Sequence, residues 1–212
     1  MKTVILIRHS EPIKDRTIST EELPLSEQGH IKAQELFSLN IFRSVKAVYA
    51  SPYLRAYSTA EKLSERIIVD DRLRERELGN PETLNAKFWN LQYEDHNYKN
   101  VDGESLNDTK ERMTATINEI ISTIHDGNTV AIVSHAAAIC SFLLNWCAIE
   151  VMDEQKKLRK ITHKGAVVMN GKIATPSAFV LEFENGQLCR IKYIDKEDYR
   201  YGFYKLERTQ KD

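Results

Sequence analysis

Two short segments of the chain, Val4 to Ile7 and Val130 to Val133, are apolar at every position. A strand without alternation of apolar and polar residues is covered on both faces, as strands are in parallel sheets flanked by helices. An amphipathic helix precedes the second segment, with apolar residues at helical spacing at Met113, Ile117, Ile120, Ile121 and Ile124. Buried strands that alternate with amphipathic helices predict an α/β fold.

The remaining elements extend this pattern along the chain. Ala47 to Ser51 is predicted to be a further strand, and two late strands flank Asn185-Gly186, a strong hairpin signal. The sequence therefore predicts one domain over residues 1–212, a three-layer α/β/α sandwich with a mostly parallel central sheet and an antiparallel C-terminal extension. Helices are predicted to start at the N-cap Ser26 and near Pro52, and a short one is predicted around Ala86 to Tyr93. The long amphipathic helix ends at Asp126-Gly127-Asn128, and the last helix carries Ile139, Phe142, Leu143 and Trp146.

Composition excludes several classes of protein. The formal net charge is -1, so no global basic field is available for binding nucleic acid. The apolar run before Arg8 is too short for a signal peptide, and no stretch approaches the about 20 apolar residues of a membrane span. Three cysteines without CxxC spacing, Cys140, Cys147 and Cys189, favour core thiols in a reducing compartment, which predicts a cytoplasmic protein.

Polar residues follow each of the three predicted parallel strands directly. The segments are Arg8-His9-Ser10, Ser51-Pro52 and Ser134-His135-Ala136, and Arg55 lies in the first turn of the helix after the second strand. Ligands of such sheets collect beyond the carboxyl ends of the strands. Two arginines and two histidines would meet there beside a helix N-terminus, and a dianionic phosphate would relieve their mutual repulsion.

Six segments, in order along the chain, resemble the motifs of one known family. They run from about Val4 to Ile139, and the ordered set is far more specific than any single motif. On these segments the chain resembles the histidine phosphatase superfamily, also called the phosphoglycerate mutase-like family. The segments are Val4 to Glu11, Leu25 to Gly29 with Ala33, Ser51 to Ala60, Arg72 to Arg76, Gly103-Glu104-Ser105, and Val133-Ser134-His135.

The resemblance implies a role for each of five residues. His9 would attack phosphorus and become phosphohistidine. Arg8, Arg55 and His135 would hold the phosphate oxygens and stabilise the transition state. Glu75 would protonate the leaving group and then deprotonate water. The implied enzyme is a metal-independent phosphomonoester phosphatase without a cofactor, and its partner is a small phosphorylated substrate.

The chain departs from the family pattern at three positions expected beside the phosphate. Ser10 replaces the usual glycine after the nucleophile, and Ala136, followed by a second alanine, replaces a frequent Gly-Gly pair. Asp15 stands where many members place an asparagine that contacts phosphate, so its carboxylate would repel the substrate unless it is offset or displaced. The Phe-Gly-x-Trp-Glu-Gly run that is common after the acidic residue is also missing.

Two segments have no assigned role. The first is an aromatic insertion, which would either roof the pocket or pack a satellite core. The second is the C-terminal tail from Tyr199 to Tyr204, which would cover the domain or a partner chain, and a homo-oligomer is therefore left open. The insertion comprises Phe88, Trp89, Tyr93, His96 and Tyr98. Histidines outside the motifs, at His30, His96, His125 and His163, have no ligand-like spacing, so no metal site is predicted.

Two other functions are compatible with the same residues. A phosphoglycerate mutase-type isomerase would share the nucleophile. The family's mutases carry an extended insertion, and the stretch between Glu75 and Gly103 is too short to contain it. A catalytically weak phospho-ligand binding protein would account for Asp15 and the altered loops. The intact set of a nucleophile, an acid and phosphate ligands favours the phosphatase.

Overall fold

A six-stranded mixed sheet forms the centre of the protein, and the computed structural model describes residues 1–195. The predicted role of the tail from Tyr199 to Tyr204 lies outside the described residues. The sheet has the strand order β3-β2-β4-β1-β8-β9, in which the first four strands are parallel and β8 and β9 are antiparallel. Its strands are β1 (Lys2–Arg8), β2 (Val45–Ala50), β3 (Ile67–Val69), β4 (Thr129–Ser134), β8 (Ser177–Glu184) and β9 (Gln187–Ile194).

Helices cover both faces of this sheet, which confirms the predicted layers. Successive residues of β1 point to opposite faces, so that Val4 and Leu6 join one hydrophobic cluster while Ile5 and Ile7 join the other. The first cluster packs against α4 and α5, and the second packs against α1 and α2. The helices are α1 (Glu27–Phe37), α2 (Leu54–Ala60), α3 (Ala86–Glu94), α4 (Leu106–Thr123) and α5 (Ala136–Leu143).

A second, three-stranded antiparallel sheet was not predicted from the sequence. It contains β5 (Cys147–Asp153), β6 (Leu158–His163) and β7 (Ala166–Lys172). Ile161 and Met169 pack from this sheet into the same core as α4 and α5. The predicted helix that carries Trp146 was therefore too long, because α5 ends at Leu143 and β5 begins at Cys147.

Local signals explain several of the element boundaries. The Ser26 side chain accepts a hydrogen bond from the Gly29 N–H at the start of α1, as predicted. Ser105 and Asp108 form a reciprocal capping box at the start of α4. Within the described residues no helix is both long and apolar enough to cross a membrane.

Candidate active site

The sheet topology brings the three predicted polar segments to one edge. Because β1 and β2 both pair in parallel with β4, the residues that follow these three strands lie side by side. The backbone N–H of His9 donates to the Ser134 carbonyl at 2.9 Å, and that of Ser51 donates to the Val133 carbonyl at 2.9 Å. Sheet hydrogen bonds therefore fix the backbone of His9 and Ser51, and His135 is fixed because it directly follows β4.

His9 is a buried histidine with a defined tautomer. Its Nδ1 lies 2.7 Å from the Ser10 carbonyl oxygen, which can only accept, so Nδ1 carries the proton. Nε2 is left with its lone pair, and this lone pair accepts the Arg55 Nε–H at 3.1 Å. The ring is thus uncharged, and its Nε2 contacts a guanidinium.

Arg55 connects His9 with the second histidine. Its Nη2 donates to Nδ1 of His135 at 3.0 Å, and its Nη1 donates to the Thr20 carbonyl. Since an arginine only donates, His135 carries its proton on Nε2, which lies 2.8 Å from the Ser51 hydroxyl oxygen. Both ring nitrogens of His135 therefore have protein partners, and in this arrangement the ring orients Arg55.

Both histidines are held in their neutral forms. Burial, together with the positive charges of Arg55 and Arg8, lowers the pKa of His9 to about 3. Burial, followed by the neighbouring His9 and Arg55, places the pKa of His135 well below its usual value. The two rings are 5.1 Å apart between centroids, so protonation of either would add a charge to an already cationic cluster.

These pKa shifts predict that stability falls as the pH is lowered. Between about pH 6.5 and pH 3 the unfolded chain binds a proton at His9 that the folded chain does not. The contribution of neutral His9 to the free energy of unfolding is therefore complete above pH 6.5 and is lost progressively as the pH falls towards 3. From pH 7 to pH 5 the loss is roughly 2 kcal/mol for one such histidine. Urea unfolding at both pH values should show a smaller loss for His9→Ala than for the wild type. Equal losses would contradict the low pKa.

Arg8 is the last residue of β1 and directly precedes His9. Its Nη1 donates to the Ile173 carbonyl at 2.5 Å, while its Nε is buried and has no hydrogen-bond partner among residues 1–195. Burial lowers the pKa of Arg8, and the carboxylate of Glu75 opposes this shift. Arg8 therefore has unused donor capacity beside the nucleophile.

Ser10 lies on the α1 side of the loop that follows β1. Its hydroxyl donates to the Gly29 carbonyl at 2.6 Å, and its N–H donates to the Thr59 hydroxyl at 2.9 Å. A Cβ on Gly29 would lie 2.1 Å from the Glu11 carbonyl oxygen, so the glycine allows α1 to approach this loop. The Ser10 hydroxyl thus holds the loop on α1, and the Ser10 N–H holds it on α2.

Glu75 lies at the N-terminus of α5. Its Oε1 accepts the N–H of Ala138 at 2.9 Å, and its Oε2 accepts the N–H of Ala137 at 3.4 Å. Ala136, which precedes them, also lines the cavity described below. Ala137 and Ala138 therefore present backbone donors to the predicted acid.

The segment that carries Glu75 is held from two sides. The Ser134 hydroxyl, at the end of β4, donates to the Leu73 carbonyl at 2.7 Å. Arg112 of α4 donates to the Arg74 carbonyl and binds both carboxylate oxygens of Glu104 at 2.7 Å each. This fixed segment brings the predicted acid to the same edge as the nucleophile.

Asp15 is engaged within its own loop. Its Oδ1 accepts the hydroxyl of Thr17 at 2.7 Å and the N–H of Thr17 at 2.8 Å. Both hydrogen bonds lower the pKa of Asp15. One oxygen of the carboxylate is thus engaged in a local turn.

A cavity of about 490 Å³ opens beside Arg8 and Glu75. Trp89, Tyr93 and His96 of the aromatic insertion line it, whereas Phe88 is 2% exposed and packs against Trp89. The insertion therefore both borders the pocket and builds a small core. Sequence reasoning missed three groups of lining residues: Arg76 and Gln92, then Lys157 and Arg159 around the start of β6, and Lys172 and Ile173 around the end of β7.

Residues 4–168 match the model of the histidine phosphatase superfamily, branch 1. A curated relative from Hydrogenobacter thermophilus, named "Putative phosphoserine phosphatase 2", is 32% identical over 98 residues. The match covers 43% of this chain and 47% of the relative. The matched region thus spans about half the length of that protein.

Solved structures share the fold at low sequence identity. A phosphoserine phosphatase variant from Entamoeba histolytica in complex with phosphoserine has a TM-score of 0.66 at 18% identity, over 94% of this chain and 99% of that one. Bacillus stearothermophilus YhfR has a TM-score of 0.65 at 22% identity, over 89% and 95%. A mycobacterial glucosyl-3-phosphoglycerate phosphatase in complex with inorganic phosphate has a TM-score of 0.64 at 23% identity, over 91% and 95%.

Proposed function

Because the chain belongs to the histidine phosphatase superfamily, branch 1, we propose that it is a metal-independent phosphomonoester phosphatase that acts through phosphohistidine at His9. The curated relative and several structural relatives carry phosphatase names, which supports hydrolysis as the reaction. The substrate is a small phosphorylated molecule.

One observation carries this proposal. The Nδ1–H of His9 is engaged by the Ser10 carbonyl, so Nε2 carries the lone pair in an imidazole that stays neutral at physiological pH. In the resting site Arg55 donates to this nitrogen, and the charge of Arg8 also acts on the ring. A neutral nucleophile between two cations suits attack on a dianionic phosphate.

The first half of the reaction forms the phosphoenzyme. The phosphate dianion takes the guanidinium of Arg55 away from His9 and binds it together with Arg8. Nε2 of His9 then forms a bond to phosphorus as the bond between phosphorus and the alcohol oxygen breaks. Glu75 gives its proton to that oxygen, and the alcohol leaves.

The second half regenerates the enzyme. Glu75, now a carboxylate, takes a proton from water as the water oxygen attacks phosphorus and the bond to His9 breaks. Inorganic phosphate leaves, and Arg55 returns to His9. In the resting site His135 positions Arg55 through Nδ1. When the phosphate draws Arg55 away, a proton on that nitrogen lets His135 donate to a phosphate oxygen.

We place the enzyme in the cytoplasm as part of the same proposal. Cys140, Cys147 and Cys189 are all free thiols, in keeping with a reducing compartment. Burial raises the pKa of Cys140 to about 12 and that of Cys147 to about 11, which leaves both as unreactive thiols.

The test is release of phosphate from a panel of phosphomonoesters, including p-nitrophenyl phosphate, in the presence of EDTA. We expect turnover to survive the chelator. Quenching in alkali during turnover should trap an acid-labile, alkali-stable phosphoenzyme, because a phosphoramidate bond is hydrolysed in acid. Loss of activity in EDTA that added metal restores would overturn the metal-independent mechanism. Binding of phosphate esters without release would favour a binding protein.

A further inference from the structure

We propose that the substrate carries a carboxylate on its alcohol portion, and that Arg76 and Gln92 bind it in the cavity beside Glu75. This inference rests on the proposed phosphatase function, which it deepens by naming a class of substrate. It also assigns a role to two residues that lie outside the phosphate cluster.

Arg76 is a buried cation without an anionic partner. It is 6% exposed, and its hydrogen bonds go to two neutral acceptors, the Glu104 carbonyl at 2.9 Å and the Gln92 side-chain oxygen at 2.5 Å. Its Nη2 is buried and has no partner within residues 1–195. The charges of three nearby carboxylates act on Arg76, but each carboxylate is engaged elsewhere. Glu104 pairs with Arg112, Asp108 pairs with Lys99, and Glu75 accepts backbone N–H groups at the start of α5. A buried, unpaired guanidinium is costly, and an anion removes that cost.

Gln92 repeats the same pattern. Its side chain is 1% exposed, its oxygen accepts from Arg76, and its Nε2 donor has no partner in the described part of the chain. Arg76 and Gln92 both line the cavity that Arg8 and Glu75 border. Two neighbouring residues in the wall of the space beside Glu75 therefore each hold a buried donor without an acceptor.

Arg76 is the buried cation of the cavity that offers a fork of donors. Lys157 and Lys172 are exposed side chains that each present a single hydrated charge. Arg159, on β6, is already paired with Glu154 at 2.6 Å and donates to the Tyr93 hydroxyl. Arg8 lies beside His9, where it is committed to the transferred phosphate. The lining as a whole contains five cationic side chains and two carboxylates, so the cavity attracts anions.

The geometry favours a carboxylate as the bound group. Rotation of the Gln92 amide away from Arg76 would release Nη1 and leave it beside Nη2. These two atoms form the fork that holds the two oxygens of a carboxylate through parallel hydrogen bonds. Apolar side chains, among them Leu78, Leu106 and Ile149, line the rest of the cavity and suit the carbon skeleton between the two anionic ends.

The experiment compares pairs of substrates that differ by the carboxylate. Phosphoserine is paired with phosphoethanolamine, 3-phosphoglycerate with glycerol phosphate, and p-nitrophenyl phosphate serves as a general substrate. We expect kcat/KM of the wild type to favour the carboxylated member of each pair by roughly a hundredfold, because its absence leaves buried donors unpaired. In Gln92→Glu the new carboxylate takes the guanidinium, and the preference should fall by about tenfold or more, mainly through KM.

Two further variants locate the effect. Arg76→Lys keeps the charge but removes the fork, and it should reduce the same ratio. Gln34→Glu makes the same substitution as Gln92→Glu at an exposed position of α1 and should leave the ratio unchanged. Equal turnover of both members of each pair, or a preference that survives in Gln92→Glu, would overturn the carboxylate site while the phosphatase stands. No release from any substrate, including p-nitrophenyl phosphate, would overturn both.

Discussion

His9→Ala lowers kcat by about 10⁴-fold or more and abolishes the alkali-stable phosphoenzyme, because the variant has no atom that can form the bond to phosphorus. The site around it should persist. Arg55 keeps its contacts with the Thr20 carbonyl and His135, and the loop keeps the hydrogen bonds of Ser10 to Thr59 and Gly29. Phosphate release and acid or alkaline quenching measure the two effects.

The control for this substitution is His125→Ala, since His125 is exposed after α4. It should retain wild-type kcat. Circular dichroism and thermal unfolding of His9→Ala at pH 7 should show a folded protein, which separates a lost nucleophile from a lost fold. Retention of more than about a hundredth of the wild-type activity by a folded His9→Ala would remove His9 from the nucleophile's role.

Glu75→Gln should separate substrates by their leaving groups. For alkyl phosphates, whose alkoxide must be protonated as it leaves, we expect kcat to fall by about 10²- to 10³-fold. For p-nitrophenyl phosphate, whose leaving group is stable as an anion, formation of the phosphoenzyme should slow by less than about tenfold. The burst of p-nitrophenol should therefore persist while its steady-state release slows, because the second half of the reaction still needs a base.

The substitution is a mild one for the fold. A glutamine oxygen can still accept the Ala138 N–H that Glu75 accepts at 2.9 Å, so the start of α5 stays capped. Glu35→Gln, at an exposed position of α1, is the matched control and should leave both rates unchanged. Equal losses on alkyl and nitrophenyl substrates would remove Glu75 from the role of acid.

The sequence predicted the parts of the fold that are set by local pattern. Val4 to Ile7 and Val130 to Val133 are strands covered on both faces, and Asn185 and Gly186 form the predicted hairpin turn with φ angles of 50° and 77°. The position of His9 and His135 beyond adjacent parallel strands follows from the same pattern. These features depend on residues close in sequence or on a general rule of parallel sheets.

The three-stranded sheet was missed although a signal for it is present. Lys164 and Gly165 join β6 to β7 with φ angles of 50° and 81°, a two-residue turn of the same kind as the Asn-Gly turn. β5 alternates between buried or half-buried and exposed positions, but the apolar residues Ala148 and Met152 occupy exposed ones, so the alternation of apolar and polar residues in its sequence is weak. Lysine at the first turn position concealed the hairpin, and the cavity wall that this sheet provides was missed with it.

Partners of buried polar groups could not be predicted either. Nothing in the local sequence indicates that Arg76 pairs with Gln92. Side-chain hydrogen bonds of this kind depend on the packing of several elements at once. Sequence pattern therefore predicted which residues lie together beyond β1, β2 and β4, while the neighbouring pocket required the structure.

The hydrogen bond from Arg55 Nε to Nε2 of His9 has a consequence for the resting protein. The lone pair that would react is already occupied, and only a ligand that competes for the guanidinium uncovers it. Alkylating or acylating reagents without an anionic group cannot do so, so they meet a masked nitrogen. Binding of the phosphate and release of the Nε2 lone pair are then a single event. His9 is therefore protected from chemical modification while no substrate is bound.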